Sequence, residues 1–172
     1  FRQAFDNLRK RTKRPFAAAK EEERATRHAR TETGRYLAEP DLKEGKGGLR
    51  DLHFMRWIHK YAHGADIADP KAKKRAFSDE DIAAFRQAER FLWSVRVQLH
   101  ALRGRAEEKL SFDLQPALAE RLGFSDRGDM SAAERLMRRY FMNAMEVGRL
   151  LRIFTAKLEE EDKVLGLELG AD

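Results

Sequence analysis

The densest run of chemically capable residues is Glu39-Pro40-Asp41-Leu42-Lys43-Glu44-Gly45-Lys46-Gly47-Gly48-Leu49-Arg50-Asp51. Glycine lets a backbone approach a ligand closely, and Gly48 leads directly into a helix predicted to start near Leu49. A helix N-terminus offers unpaired N–H groups and the positive end of the macrodipole, which suits phosphate. Lys43, Lys46 and Arg50 would add charge for a triphosphate, arginine through its planar fork. The order of Gly, Lys and Ser/Thr is not that of a P-loop, and no strand precedes it. The competing reading is a glycine-rich turn whose Asp51 caps or salt-bridges a neighbouring helix. Residue chemistry alone leaves these two level. The nucleotide-binding or cleft-facing candidates are therefore Lys43, Gly47, Gly48, Arg50 and Asp51.

Other candidates carry less. Asp79-Glu80-Asp81 has the carboxylate spacing of a nucleotidyltransferase metal pair. That chemistry needs the acids on one strand after a Gly-Ser turn, whereas here they fall in the first turn of a helix and favour its dipole. His59 and His63 lie four apart on one helix face, with Asp66 nearby. A zinc site needs more ligands, HExxH is absent, and no adjacent His-Asp pair exists for a metal phosphohydrolase. Solvated or capping roles are expected for these two, and structural roles for His28 and His100. Arg138 and Arg139 follow a helix start and are expected on a solvated face. No catalytic residue and no metal ligand is expected in this chain.

The elements that would position these residues are all helical. Phe1, Ala4, Phe5 and Leu8 recur at helical spacing before the basic run from Arg9 to Arg14, and Pro15 ends that helix or starts the next. Phe16 to Thr31 is helical by composition. Gly34 to Gly48 forbids regular helix. From Leu49 the stripe Leu52, Met55, Ile58 and Ala62 runs to Gly64, and a polar connection from His63 to Arg75 follows. Ser78, with Asp81 three residues on, is a capping signal, and Phe77 with Ile82 could form a staple. Ile82, Phe85, Leu92, Val95, Leu99 and Leu102 then step by threes and fours towards Gly104.

A short helix from Leu114 to Leu122 tolerates Pro116 in its first turn and closes at Gly123. Ser131 and Glu134 open a long helix that turns Met137, Tyr140, Phe141, Ala144, Val147, Leu151, Phe154 and Leu158 inward. Glu159 to Asp162 is expected as its acidic end, and the tail from Val164 to Asp172 as frayed or linking. No segment alternates with a period of two. The fold class is all-α: a helical bundle with two long core helices and a glycine-rich loop. Its expected divisions are residues 1–14 as the end of an upstream region or a connecting helix, 15–162 as the helical domain, and 163–172 as tail or linker.

Size and composition agree. The 172 residues suffice for one domain with its own core, and the absence of cysteine excludes disulfides and thiolate metal sites. Charged residues make up 37% and hydrophobic residues 42%, the balance of helices with solvated outer faces. Nothing approaches the ~20 apolar residues of a membrane span, and no signal peptide is recognisable, so a cytoplasmic protein is expected. The chain begins at Phe1 rather than methionine, which suggests a piece cut from a longer protein. A net charge of +6 suits anionic partners, but 29 acidic residues interleave with the basic ones and make nucleic acid an unlikely partner.

Several motifs in order resemble one family. Arg27-His28-Ala29-Arg30, Glu39-Pro40-Asp41-Leu42-Lys43, Gly47-Gly48-Leu49-Arg50-Asp51 and Trp57-Ile58 are similar to the bacterial PII uridylyltransferase/uridylyl-removing enzymes. So are Leu110-Ser111-Phe112-Asp113-Leu114-Gln115, the stretch from Ala119 to Phe124, and that from Glu134 to Phe141. The resemblance covers roughly Phe16 to Leu158. A related Gly-Gly-x-Arg motif makes the glutamine synthetase adenylyltransferases the runner-up.

The resemblance implies a multifunctional enzyme of nitrogen metabolism that moves UMP from UTP to the PII signal protein and hydrolyses it off when glutamine is plentiful. It implies magnesium and UTP in the full-length enzyme, neither held tightly here. This chain would be the helical, nucleotidyltransferase-associated domain between the transferase and HD hydrolase domains, assisting nucleotide closure and domain positioning. On its own it would be inactive. Two further readings are a non-catalytic basic scaffold and a nucleic-acid-binding module.

Overall fold

Local capping chemistry explains where the helices start and stop. The computed structural model describes residues 15–26, 38–69 and 76–169, with side chains to Glu161. Helix α1 covers 15–26 of the described chain. Helix α2 (Leu49–His63) stops at Gly64, whose φ of 74° suits glycine and whose N–H donates to the Lys60 carbonyl. Helix α3 (Asp79–Arg103) opens on a complete capping box: Asp81 N–H donates to Ser78 Oγ, and Ser78 N–H donates back to the Asp81 carboxylate. Helix α4 (Gln115–Arg121) carries its proline in the first turn. Helix α5 (Ala132–Leu169) is 38 residues long and opens on the reciprocal pair Ser131 and Glu134.

Helix α5 packs against α2, α3 and α4 and is the spine of the bundle. From α5, Tyr140, Val147, Leu150 and Phe154 enter the core; from α3, Phe85, Leu92, Val95 and Leu99 meet them; from α2, Leu52, Met55 and Ile58. Phe77 packs its ring on Phe85 and on Phe154. It thus ties the α3 entry to α5, and Ile82, its expected staple partner, is buried in the same cluster. Among the described residues there is no strand, only the isolated bridges Asp41–Lys109 and Arg127–Met130. The all-α expectation stands. No described helix is long and apolar enough to cross a membrane.

Three expectations change. The connection after α2 is not merely polar, since Ile67 and Ala68 are buried and Arg86 donates to the Ala68 carbonyl. His59 is not solvated: it is fully buried, with Nδ1 2.9 Å from the Ala65 carbonyl just beyond the helix end, and its ring lies 4.8 Å from that of His63. The backbone of α5 continues through the expected acidic end and tail to Leu169, because neither proline nor a left-handed glycine interrupts it. The expectations for residues 1–14, for the Arg27–Arg30 motif with His28, for Gly34 and for 70–75 lie outside the described residues.

Candidate functional site

The segment 38–48 is a series of tight turns built by its own polar groups. Asp41 Oδ1 accepts the N–H groups of Lys43 and Glu44, at 2.8 and 2.6 Å. The Gly45 N–H returns to the Asp41 carbonyl and the Gly48 N–H to the Gly45 carbonyl. Leu42 is thereby driven fully into the core.

A second segment, 108–115, staples these turns down from far along the chain. The Leu42 N–H donates to the Glu108 carbonyl and the Leu110 N–H to the Pro40 carbonyl. Glu39 accepts the Phe112 N–H at 2.9 Å and pairs with Lys109 at 2.9 Å. The Phe112 amide, and after it Lys109, hold the Glu39 carboxyl below the usual glutamate range. Buried Gln115 donates to the carbonyls of Ala38 and Leu110 at 2.8 and 2.9 Å. The Glu39–Lys43, Gly47–Asp51 and Leu110–Gln115 motifs therefore converge on one structural node.

The structure gives the expected site residues two different placements. Gly47, Gly48 and Asp51 point inward. A Cβ on Gly47 would lie 2.3 Å from the carbonyl oxygen of Ala144 on α5, and Gly47 has φ +80°. The close approach that requires glycine is thus to α5. Asp51 is 1% exposed; it accepts the Gly47 N–H at 2.9 Å and the Arg24 guanidinium at 3.2 Å. The start of α2 also differs from an open anion nest. The amides of Leu49, Arg50 and Asp51 donate to the carbonyls of Leu42, Lys43 and Gly48, so phosphate would have to displace loop carbonyls. Packing and capping, the second of the two readings, account for these groups. Asp41 and Asp51 lie near Tyr140, whose phenol is pushed up by burial and further by these two charges.

Lys43, Lys46 and Arg50 face outward. Arg50 Nε donates to Glu44 at 3.1 Å and lies 4.0 Å from Glu23, while Lys43 sits 3.8 Å from Glu44. Arg50 shares its α2 face with His53 and Trp57, at three- and four-residue steps. His53 lies between both tryptophans of the chain, 5.7 Å from Trp57 and 6.3 Å from Trp93. Arg96 covers the Trp93 ring and Lys20 the Trp57 ring. Burial holds His53 below the usual histidine range; Glu89 opposes this, and Arg56, Arg50 and Arg96 add to it. Arg96 in turn grips Glu108, next to the stapled loop. Trp57 and Trp93 remain 43% and 38% exposed.

This half-open aromatic and cationic face escaped sequence reasoning. Its signal was Trp93, which stands directly after the core residue Leu92 and so off the apolar stripe of α3. Chemically the arrangement can bind and position an anionic or planar group. Asp79, Glu80 and Asp81 stay at the start of α3, where Asp81 also meets Arg149 at 2.8 Å. Among the described residues no three His, Asp or Glu side chains are grouped to hold a metal ion.

The fold and this node define an all-helical module built around one stapled, glycine-rich loop. Residues 15–155 match the family model described as GlnD PII-uridylyltransferase, and the chain belongs to that family. It is 52% identical over 156 residues to the bifunctional uridylyltransferase/uridylyl-removing enzyme of Caulobacter vibrioides (strain NA1000 / CB15N), covering 91% of this chain and 17% of that enzyme. The enzymes of the same description from Phenylobacterium zucineum and Novosphingobium aromaticivorans are 51% and 47% identical. They cover 85% and 86% of this chain, and 16% of each enzyme. The chain thus spans about a sixth of the length of these relatives. These names place it with the uridylyltransferases rather than with the glutamine synthetase adenylyltransferases. No solved structure matches the chain.

Proposed function

We propose that the chain is the helical domain of a cytoplasmic bifunctional enzyme that transfers UMP from UTP to the PII protein and hydrolyses it off again. Residues 15–162 form the domain, 1–14 join it to the upstream nucleotidyltransferase domain, and 163–172 are the tail or linker towards the HD hydrolase domain. The observation that carries this reading is the family match across the whole stapled bundle, at about half identity to enzymes of that description. Lys43 and Arg50, with Lys46, face the transferase cleft and add positive charge near the nucleotide phosphates. Gly47, Gly48 and Asp51 hold the loop that presents them. Nucleotidyl transfer depends mostly on positioning and charge stabilisation, and this is the domain's share of it. The magnesium that the family resemblance implies does not fit the described residues: the acidic run at Asp79 is committed to capping α3 and to Arg149.

Arg50 and its partner Glu44 test the assignment in the full-length enzyme. A charge-assisted hydrogen bond contributes ~1.5–3 kcal/mol, so Arg50→Ala should lower kcat/KM for uridylylation roughly ten- to a hundredfold. Arg50→Lys should rescue it only in part, and removal of UMP should change much less. The Arg50–Glu44 pair is about a third exposed and adds only ~0.2–1 kcal/mol to stability, so melting should barely shift. Glu44→Gln removes the nearer of Arg50's two carboxylates and should preserve transfer. If Glu44→Gln instead reproduces the loss seen with Arg50→Ala, the ion pair is structural and the loop only packs against its neighbour.

A further inference from the structure

On the far side of α5 lies a cavity of about 340 Å³, ringed by Arg127, Arg135, Arg138 and Arg139. Its volume lies within the ~300–1,000 Å³ range of small-molecule sites. Successive helix residues turn by about 100°, so Arg138 and Met142 point away from Tyr140 and Ala144, which face the stapled loop. The cavity is therefore separate from the face assigned above.

Its arginines have no carboxylate partner within ion-pair distance among the described residues. Arg24, Arg50, Arg56, Arg96 and Arg149, by contrast, all pair with carboxylates. Of the nearest acids in sequence, Asp126 accepts the Ala132 N–H and Glu134 the Ser131 N–H, while Asp129 is exposed and pairs with none of the four arginines. Three of the four guanidinium groups nonetheless have contacts of their own. Arg135 donates to the Ser125 carbonyl, Arg138 rests 3.9 Å from the Met130 sulfur, and Arg139 lies over the Phe91 ring. Positioned guanidinium forks without carboxylate partners suit an oxyanion.

The rest of the lining is apolar: Phe124, Met130 and Met142, with Met142 55% exposed. A soft, polarisable methionine and aromatic surface accepts a flat ring. We propose that this cavity binds a mononucleotide, with its phosphate on the arginines and its base against Phe124 and the methionines. The lining side chains include no carboxylate, amide or hydroxyl, so nothing there reads the hydrogen-bonding edge of the base. Purine and pyrimidine nucleotides should therefore bind comparably, the phosphate on the arginines and the stacked ring each contributing to affinity.

The test is hydrogen exchange of segment 124–142 in the full-length enzyme, titrated with AMP as probe. AMP is the choice because uridylyl transfer does not call for it, so failure of the uridylylation reading would leave this measurement unaffected. Protection that saturates with AMP, appears comparably with UMP and is absent with adenosine supports the site. Arg138→Ala/Arg139→Ala, checked for folding by far-UV dichroism, should weaken AMP at least about tenfold, with partial recovery in the double lysine variant. Protection that persists in the alanine variant would overturn the proposal, as would none in the parent. Inorganic phosphate binding as tightly as AMP would remove the base from the site and refute the mononucleotide. An oligoglutamate peptide that protects where AMP does not would refute it in favour of an acidic protein partner.

Discussion

Gly47→Ala separates the two reasons a glycine could stand in this loop. In the structure the added Cβ meets backbone, 2.3 Å from the oxygen and 2.8 Å from the Cα of Ala144, at a residue with φ +80°. The left-handed conformation costs a non-glycine residue ~1–2 kcal/mol. Forcing a methyl into a closed contact costs a further ~1–3 kcal/mol, so the sum is ~2–5 kcal/mol. For a chain of this size each kcal/mol moves the melting midpoint by about 2–4 °C, which places the fall near 10 °C. Gly148→Ala is the control. It sits in the interior of α5 with only Arg152 Nη1 within 4.0 Å, and alanine there should add ~0.5–1 kcal/mol through helix propensity. Thermal melting by circular dichroism reads both. A Gly47→Ala chain that melts like the parent, while the full-length enzyme carrying it loses nucleotide affinity, would refute the packing argument. It would show that the glycine makes room for a ligand.

Three further outcomes are expected. Ser78→Ala removes the acceptor of the Asp81 amide and should cost ~1 kcal/mol, read as a melting midpoint about 2–4 °C lower with uridylylation in the full-length enzyme unaffected. Glu39 titrates below the ordinary glutamate value, so its contribution to stability is complete above ~4.3 and is lost as pH falls through the lowered folded value. The melting difference between the parent and Glu39→Gln should therefore shrink from about pH 5 downward, and a constant difference would contradict the Phe112 and Lys109 contacts. The 172-residue chain on its own should neither uridylylate PII nor remove UMP, and turnover by the purified chain would overturn the domain assignment.

The helices were legible because their signals are local. Ser78 with Asp81, and Ser131 with Glu134, are pairs three residues apart; Gly64 and Gly104 stop helices within one turn; and all the apolar steps of α3 except the partly buried Leu102 are buried. The loop itself was visible as a break, but not what its residues do. Asp51 finds Arg24 across 27 residues, and Gly47 is needed because Ala144 passes beside it; neither relation has a local trace. His59 was expected to be solvated or capping because it lies near a polar helix end; it is instead fully buried, with Nδ1 against the Ala65 carbonyl beyond Gly64, a contact without a local signal. The tryptophan face was hidden for a similar reason: Trp57 and Trp93 belong to different helices, and only the packing of α2 on α3 brings His53 between them.

The staple from 108–115 to 38–48 also sets an order of assembly. Gln115 reaches the carbonyl of Ala38 across 77 residues and Glu39 reaches Phe112 across 73. Closing a segment that long costs roughly 2–3 kcal/mol more entropy than closing a four-residue turn, and such distant pairings tend to form late. The helices can nucleate locally, but the loop cannot take its final shape until α3 has folded back and delivered Leu110 and Gln115. During synthesis the loop emerges before that clasp and must wait for it. A chain stopped before Gln115 would retain its first helices and still lack the surface on which Lys43 and Arg50 stand.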